Sequence, residues 1–171
     1  MNMNGCLLIA EVKTHSPFGF HSPYLWEELF ELARNTGDII SIHTDVRWGG
    51  SFDLLTYARA LTTKPILAKG IHAHDDSVKR AVDAGADYVL VVGRVPCVYR
   101  EQCFIEPCTL SELANMPYDQ RVVWNSRDLK NGALKKETFA EARACWSGWL
   151  CQASIENCAD QTNFCAQFSN G

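Results

Sequence analysis

Four charged side chains in this chain follow apolar runs, at positions where a strand of a protein core would normally stay apolar. Glu11 and Lys13 lie two residues apart near the start of the chain, and Lys69 and Glu106 each end a later apolar run. Residues two apart on a strand share a face. Burying such charges without partners would cost several kcal/mol each, whereas lysines and carboxylates can exchange protons with a bound molecule. These residues therefore predict an acid–base site.

Another pair of polar side chains follows the apolar run at 121–124. Asn125 and Arg127 again lie two residues apart. An asparagine side chain offers both donors and an acceptor, and an arginine binds carboxylate or phosphate groups through paired N–H donors. Two acids, two lysines, an asparagine and an arginine, all at the ends of apolar runs, favour one ligand site over isolated ion pairs.

The apolar runs alternate with helical patterns along most of the chain. Eight runs are typical of strands: 6–12, 39–43, 65–69, 87–92, 103–106, 121–124, 149–153 and 164–168. Helical spacing of apolar residues occurs at 24–35, 51–61, 75–84, 110–115 and 137–146, and 155–160 is one further helical turn. Ser51 is expected to cap the second helix. The nearly continuous apolar run at 87–92 indicates burial on both faces, as in a parallel sheet.

This alternation predicts a single domain over residues 1–171 with an α/β fold, a truncated (β/α)8 barrel of the TIM type. A doubly wound sheet is the rival architecture, but no GxGxxG motif follows the first strand. The fourth helix is expected to be short or absent, because too few residues separate 87–92 from 103–106. No eighth helix is expected. In such a barrel, the carboxyl ends of the strands form the active site, and the charged residues lie there.

Composition narrows the class of protein. The 171 residues are 47% hydrophobic and 21% charged, which is enough to bury a core. A net charge of −4 without a basic stripe argues against a nucleic-acid partner. No apolar stretch is long enough to span a bilayer, and the N-terminus does not have the pattern of a signal peptide. We therefore expect a cytoplasmic protein without a membrane partner.

The eight cysteines and a His-x-His sequence raise the question of disulfide or metal chemistry. No CxxC pair occurs. Four cysteines lie in strand-like runs: Cys6, Cys103, Cys151 and Cys165. Most thiols are therefore expected to be reduced and structural, with a single disulfide among the others as the alternative. His72 and His74, followed by two aspartates, offer ligand types that zinc accepts, but we expect a solvated loop there and no metal.

Six segments occur in an order and at spacings that resemble one known family. They are 8-LIAEVKTHSP-17, 41-SIHTDVRWGGS-51, 65-PILAKGI-71, 84-AGADYVLVV-92, 104-FIEPCTLSEL-113 and 124-WNSRDL-129. The combination of the first, second and last segments is specific. On these segments the chain resembles the indole-3-glycerol-phosphate synthase family, over residues 6–130 well and over the rest poorly.

That family consists of carbon–carbon lyases of tryptophan biosynthesis. They close the indole ring of 1-(2-carboxyphenylamino)-1-deoxyribulose 5-phosphate with loss of carbon dioxide and water, and they need no cofactor. By position, the resemblance implies that Lys69 is the general acid of ring closure. Glu11 and Lys13 would orient the substrate and share its proton transfers, and Glu106 would be the acid or base of dehydration. Asn125 completes the implied catalytic group and would hold substrate hydroxyl or carboxylate groups.

The resemblance also implies four substrate-binding residues. Ser16 resembles a phosphate ligand, and Ser154 either binds phosphate or begins a helical turn. Trp48 resembles the aromatic side chain that packs against the anthranilate ring, and Arg127 resembles a residue that holds substrate hydroxyl or carboxylate groups. The expected partner is therefore a phosphorylated small molecule.

The chain departs from the family's pattern in several places. Gly70 and Ile71 stand where the family has aspartate and phenylalanine, Ala153 replaces a glutamate, and we expect the family's N-terminal extension to be absent. Two alternatives stay open: another phosphosugar enzyme on this scaffold, of the phosphoribosylanthranilate isomerase kind, or a non-catalytic remnant that acts as a binding module. Missing outer helices are also expected to leave apolar barrel flanks exposed, which would favour a homo-oligomer.

Overall fold

The computed structural model describes residues 7–154, which form a sheet of seven parallel strands in sequence order with helices between them. The strands are β1 Ile9–Val12, β2 Ile39–His43, β3 Ile66–Lys69, β4 Tyr88–Val92, β5 Cys103–Glu106, β6 Arg121–Asn125 and β7 Leu150–Ala153. The α-helices are α1 Trp26–Thr36, α2 Phe52–Leu61, α3 Asp75–Asp83, α4 Leu110–Ala114 and α5 Phe139–Cys145. The predicted α/β alternation is confirmed. The predicted strand at 164–168 and helical turn at 155–160 lie outside the described residues.

The helices are short and unevenly distributed. Within residues 7–154, none is long and apolar enough to cross a membrane. The connection between β4 and β5 contains a 3-10 turn, Arg100–Gln102, in place of an α-helix. The short spacing predicted a short or absent fourth helix, and this prediction is confirmed: residues 93–102 connect β4 to β5 without an α-helix.

Alternate side chains of a strand point to opposite faces of the sheet. Both of these faces carry buried clusters. The outer face packs against α1, α2 and α3 through buried aliphatic residues that include Ile40, Ile42, Ile66, Val89, Leu55 and Val78. A second outer cluster, with Trp124 of β6 and Trp146 at its centre, packs α4 and α5 against β6 and β7. This double burial is why the strands are apolar at nearly every position.

The inner face of the sheet carries one side chain from each of six strands in a single cluster. These residues, which we call the inner cluster, are Ile39, Leu67, Leu90, Phe104, Val123 and Cys151. Six neighbouring parallel strands share one cluster because the sheet curls toward this face. The residues two positions further along each strand point the same way. They therefore lie above the inner cluster, at the carboxyl ends of the strands.

Side-chain caps fix the beginnings of several helices, among them α2 and α5. The hydroxyl of Ser51 accepts the backbone N–H of Leu54 at 3.0 Å, so the predicted cap of α2 is confirmed. At α5, Thr138 and Glu141 each accept the other's backbone N–H. Such caps satisfy N–H groups that the first turn of a helix leaves without intrahelical partners.

The cysteines within residues 7–154 all carry free thiols: Cys97, Cys103, Cys108, Cys145 and Cys151. Cys103 and Cys151 are buried, as their positions in strand-like runs predict, whereas Cys6 and Cys165 lie outside the described residues. Burial raises the pKa of Cys151 to about 12. That thiol therefore stays protonated at neutral pH and acts as a small apolar side chain.

Candidate active site

A cavity of about 940 Å³ lies above the inner cluster, at the carboxyl ends of the strands. Its lining includes all nine side chains that were predicted as site residues: Glu11, Lys13, Ser16, Trp48, Lys69, Glu106, Asn125, Arg127 and Ser154. These residues come from distant parts of the sequence, so the folded sheet is what brings them together. The cavity has the volume of sites that enclose one small-molecule ligand.

The strands position the charged side chains through their alternation and register. Lys69, Glu106 and Asn125 are the last residues of β3, β5 and β6. Parallel pairing of β2 with β3 sets His43 directly beside Lys69. Glu11 is the third residue of β1. Because all of these positions share the parity of the inner cluster, their side chains point into the cavity.

The carboxylate of Glu11 is the centre of a compact polar cluster. Its Oε1 accepts hydrogen bonds from Nζ of Lys69 at 2.5 Å and from Nε2 of His43 at 2.7 Å. Its Oε2 lies 3.5 Å from Nζ of Lys13. The side chain of Glu11 is 30% exposed and that of Lys69 is 23% exposed, so the group faces the cavity without being sealed from it.

Opposite charges set the protonation states of this cluster. Burial raises the pKa of Glu11, but the charge of Lys69, the hydrogen bond from His43 and the charge of Lys13 hold that pKa well below its usual value. Burial lowers the pKa of Lys69, but Glu11 and then Glu106 raise it above its ordinary value. At neutral pH the pair is therefore a carboxylate anion beside a lysine cation.

The second carboxyl group of the cavity has the opposite tendency. Glu106 is 3% exposed, and burial raises its pKa, while the charge of Lys69 and a hydrogen bond with Asn125 offset only part of the effect. Asn125 is also buried, and its Oδ1 accepts the backbone N–H of Arg127 at 3.0 Å. Two carboxyl groups with pKa values shifted in opposite directions are the pattern of an acid and a base that act on one molecule.

Ser16 and Arg127 border the cavity in loops that they also help to shape. The hydroxyl oxygen of Ser16 accepts the backbone N–H groups of Phe18 at 3.3 Å and of Phe20 at 3.4 Å. The guanidinium group of Arg127 donates from Nη1 to the carbonyl of Gly132. The structure thus places both residues at the cavity, with part of their hydrogen bonding directed to their own loops.

Ser154 and Ala153 border the cavity at the end of β7. Ser154 has a φ of 57°, a left-handed conformation that is uncommon for residues other than glycine. Ala153 lines the cavity beside it, so β7 contributes no carboxylate at this point. Whether Ser154 begins a helical turn concerns residues outside the described range.

Three aromatic side chains form a rim that we call the aromatic rim: Phe18, Phe20 and Trp48. The rings of Phe18 and Trp48 make an edge-to-face contact, with centroids 6.3 Å apart and an interplanar angle of 73°. Phe18 and Phe20 are partly exposed and line the cavity. Nζ of Lys13 lies 5.1 Å from the centroid of Phe20. Sequence reasoning missed the two phenylalanines, although their positions two and four residues after Ser16 are a usable signal.

His43 is a polar residue of the cavity that sequence reasoning missed. It ends β2, is 5% exposed and contacts Glu11. Its position at a strand end, two residues beyond buried Ser41, is the same signal that identified the charged residues. The pattern alone does not identify it, because a neutral imidazole in an apolar run resembles a core residue.

The prediction of a solvated loop at His72 is wrong. His72 is 6% exposed, its Nδ1 lies 2.5 Å from the carbonyl oxygen of Leu90, and its Nε2 lies 2.9 Å from the hydroxyl of Thr44. These partners come from β4 and from the residue after β2, so burial there is a tertiary effect. In the described part of the chain, no group of three or more His, Cys, Asp or Glu side chains is arranged to hold a metal ion.

Comparison of the sequence with models of known protein families finds no match. Function is therefore inferred from the site itself. The cavity combines a carboxylate held by a lysine and a histidine, a buried carboxyl group with a raised pKa, and an exposed aromatic rim. Such a set can move protons at two different points of one bound molecule that has an aromatic part.

Proposed function

We propose that the chain is a truncated (β/α)8 barrel enzyme of the indole-3-glycerol-phosphate synthase type. Its substrate would be 1-(2-carboxyphenylamino)-1-deoxyribulose 5-phosphate, in tryptophan biosynthesis. The observation that carries the proposal is Lys69, which interacts with an ionised carboxylate at Glu11 and with a buried carboxyl group at Glu106 in one cavity. The sequence resemblance assigns these same three residues to successive proton transfers.

In the first step, the ring carbon that bears the carboxylate attacks the carbonyl carbon of the sugar chain. A carbon–carbon bond forms, and the carbonyl oxygen takes a proton from the Lys69 ammonium group. A cation in a partly desolvated cavity stabilises the developing negative charge on that oxygen before the proton moves. Glu11 keeps Lys69 protonated and oriented until then.

In the second step, the bond between the ring and its carboxylate breaks. Carbon dioxide leaves, and the electron pair of that bond restores the aromatic ring. The ring system itself accepts these electrons, so the step calls on the protein mainly to hold the adduct in a reactive geometry. The aromatic rim fits this task, because it offers ring faces and edges at the cavity mouth.

In the third step, the new hydroxyl group leaves as water while a proton is removed from the neighbouring carbon. Glu106 supplies the proton to the hydroxyl, because its raised pKa favours the protonated form. A lysine of the cavity accepts the carbon-bound proton after ring closure has left it neutral. Asn125 holds the Glu106 carboxyl group in place and binds substrate oxygen atoms.

Ser16 and Ser154 are proposed to bind the substrate phosphate at one side of the cavity, and Arg127 to bind a hydroxyl or carboxylate group. A cavity of about 940 Å³ has room for one such adduct.

Purified protein mixed with the adduct tests the proposal, with indole fluorescence as the readout. Wild-type protein is expected to form the indole product, and the Lys69→Met variant to form none above background. Lys79→Met is the matched control, because Lys79 lies exposed on α3, where its Nζ is 3.7 Å from the exposed carboxylate of Asp76. Turnover of other phosphosugars without any indole would favour the isomerase-like alternative and exclude this proposal.

A further inference from the structure

His43 occupies a central position in the cavity, but the roles proposed above do not use it. It ends β2 beside Lys69, and its backbone is closely covered by the loop that follows. A Cβ atom on Gly50 would lie 2.1 Å from the carbonyl oxygen of His43. Only glycine allows this approach, so the loop between β2 and α2 closes directly behind His43 and fixes its backbone.

The imidazole of His43 connects two parts of the site. Its Nε2 lies 2.7 Å from Oε1 of Glu11, the same oxygen atom that accepts from Lys69 at 2.5 Å. Its ring is parallel to that of Trp48, with a 7° interplanar angle and centroids 6.1 Å apart. The catalytic carboxylate and the aromatic rim are thus held through one buried side chain.

The hydrogen bond with Glu11 determines where the proton of His43 lies. Burial lowers the pKa of His43, and the charges of Lys69 and Lys13 add to this effect, while Glu11 raises the pKa only in part. A neutral imidazole carries one N–H group, and an ionised carboxylate can only accept. The N–H group is therefore on Nε2 and donates to Glu11.

We propose that His43 is a positioning residue that fixes the Glu11 carboxylate and the plane of Trp48 for the reaction described above. With Oε1 shared between His43 and Lys69, the carboxylate cannot rotate without losing both hydrogen bonds. The Lys69 ammonium group is thereby kept directed at the cavity. The catalytic role of His43 rests on the proposed function, whereas its contact with Glu11 rests on geometry alone.

Two substitutions separate the donor from the ring. His43→Leu introduces an apolar side chain of similar size and removes the donor, whereas His43→Gln places an amide N–H near the position of Nε2. We expect His43→Leu to lower kcat about tenfold to hundredfold with little change in KM, as befits a hydrogen bond to a charged group. His43→Gln should recover most of that loss. His74→Gln, at an exposed position where the side chain makes no cap hydrogen bond, is the matched control.

A second readout does not depend on turnover. Nitrogen NMR of the histidine side chains should show His43 with a protonated Nε2 at neutral pH, and its signal should move in the Glu11→Gln variant. An unprotonated Nε2, or a His43 signal that does not move in the Glu11→Gln variant, would overturn the inference. So would equal kcat values for His43→Leu and His43→Gln, because a merely structural role would lower the melting temperature without this difference. If wild-type protein fails to turn over the adduct, the proposed function fails, and the NMR result still decides whether His43 holds Glu11.

Discussion

The two carboxyl groups of the cavity have the same chemistry and different surroundings. Glu11 contacts two lysines and a histidine, so its pKa falls in spite of burial. Glu106 is more deeply buried, with Asn125 as its hydrogen-bond partner, so its pKa rises. The environment of each group, more than its residue type, thus favours the ionised form of Glu11 and the protonated form of Glu106.

The first prediction concerns how the ion pair between Glu11 and Lys69 stabilises the fold. The folded-state pKa of Glu11 lies below its unfolded value of about 4.3. Glu11 therefore stabilises the fold above that pH, and the stabilisation is lost as the pH falls through the folded pKa. Lys69→Met should lower the melting temperature most near neutral pH, with the gap to wild type shrinking in acid. A gap that is equal at neutral and acidic pH would contradict this, and Lys79→Met should show no pH-dependent gap.

The second prediction has the opposite sign and concerns Glu106. A carboxyl group with a raised folded pKa contributes stability below its unfolded pKa and loses it as the pH rises through the folded pKa. Glu106→Gln cannot ionise, so its melting temperature relative to wild type should increase between about pH 4 and pH 8. Thermal unfolding over this range measures the difference. The exposed Glu137 supplies the control variant Glu137→Gln, which should track wild type, and a constant offset for Glu106→Gln would count against a raised pKa.

At the scale of elements, alternation along strands explains both what the sequence predicted and what it missed. Charged residues at strand ends were recognisable because a two-residue period places them on the inner face. His43 obeys the same period, but a neutral imidazole in an apolar run resembles a core residue. His72 was misjudged because its partners, Leu90 and Thr44, are remote in sequence. Local patterns predict the face of a residue, whereas its partners depend on sheet register.

Arg127 shows the same limit in a loop. Its position two residues after Asn125 predicted a side chain directed at the site. The structure adds a hydrogen bond from its guanidinium group to the carbonyl of Gly132, and no sequence pattern indicates that this loop turns back. The residue lines the cavity, but part of its bonding serves the loop.

The third prediction belongs to α2, the helix that follows the loop behind His43. Ser51→Ala removes the acceptor of the Leu54 N–H and should lower the free energy of unfolding by about 1 kcal/mol. Urea denaturation measures the change. Thr56→Ala, in the same helix at an exposed position, should be neutral or slightly stabilising because alanine has the higher helix propensity. An equal loss in both variants would show that the cap contributes nothing specific.

At the scale of the molecule, the curled sheet creates the site. Side chains of β1, β2, β3, β5 and β6 meet above the inner cluster. The spacing of these residues in the sequence does not predict how close together they lie in the fold. The order of elements was predictable from alternating patterns. The curvature of the sheet and the hydrogen bonds shared at Glu11 were not, because both result from packing between strands that are distant in the chain.

The fourth prediction concerns association. Large apolar side chains lie exposed on α1 and α2, among them Leu32, Tyr57 and Leu61. We expect concentration-dependent self-association through this surface, measured by analytical ultracentrifugation, and Leu32→Lys should weaken it. Tyr118→Lys, at a 75% exposed position after α4, is the control and should leave it unchanged. A monomer at every concentration tested would refute the prediction.

The most direct test of the proposed chemistry follows both products of one reaction. The adduct is supplied with an isotopic label in its carboxylate, and labelled carbon dioxide and indole product are measured together. Wild-type protein should release one labelled carbon dioxide for each indole ring formed, and Lys69→Met should yield neither. If wild-type protein yields neither product above the Lys69→Met level, the cavity around Glu11, Lys69 and Glu106 does not catalyse this ring closure.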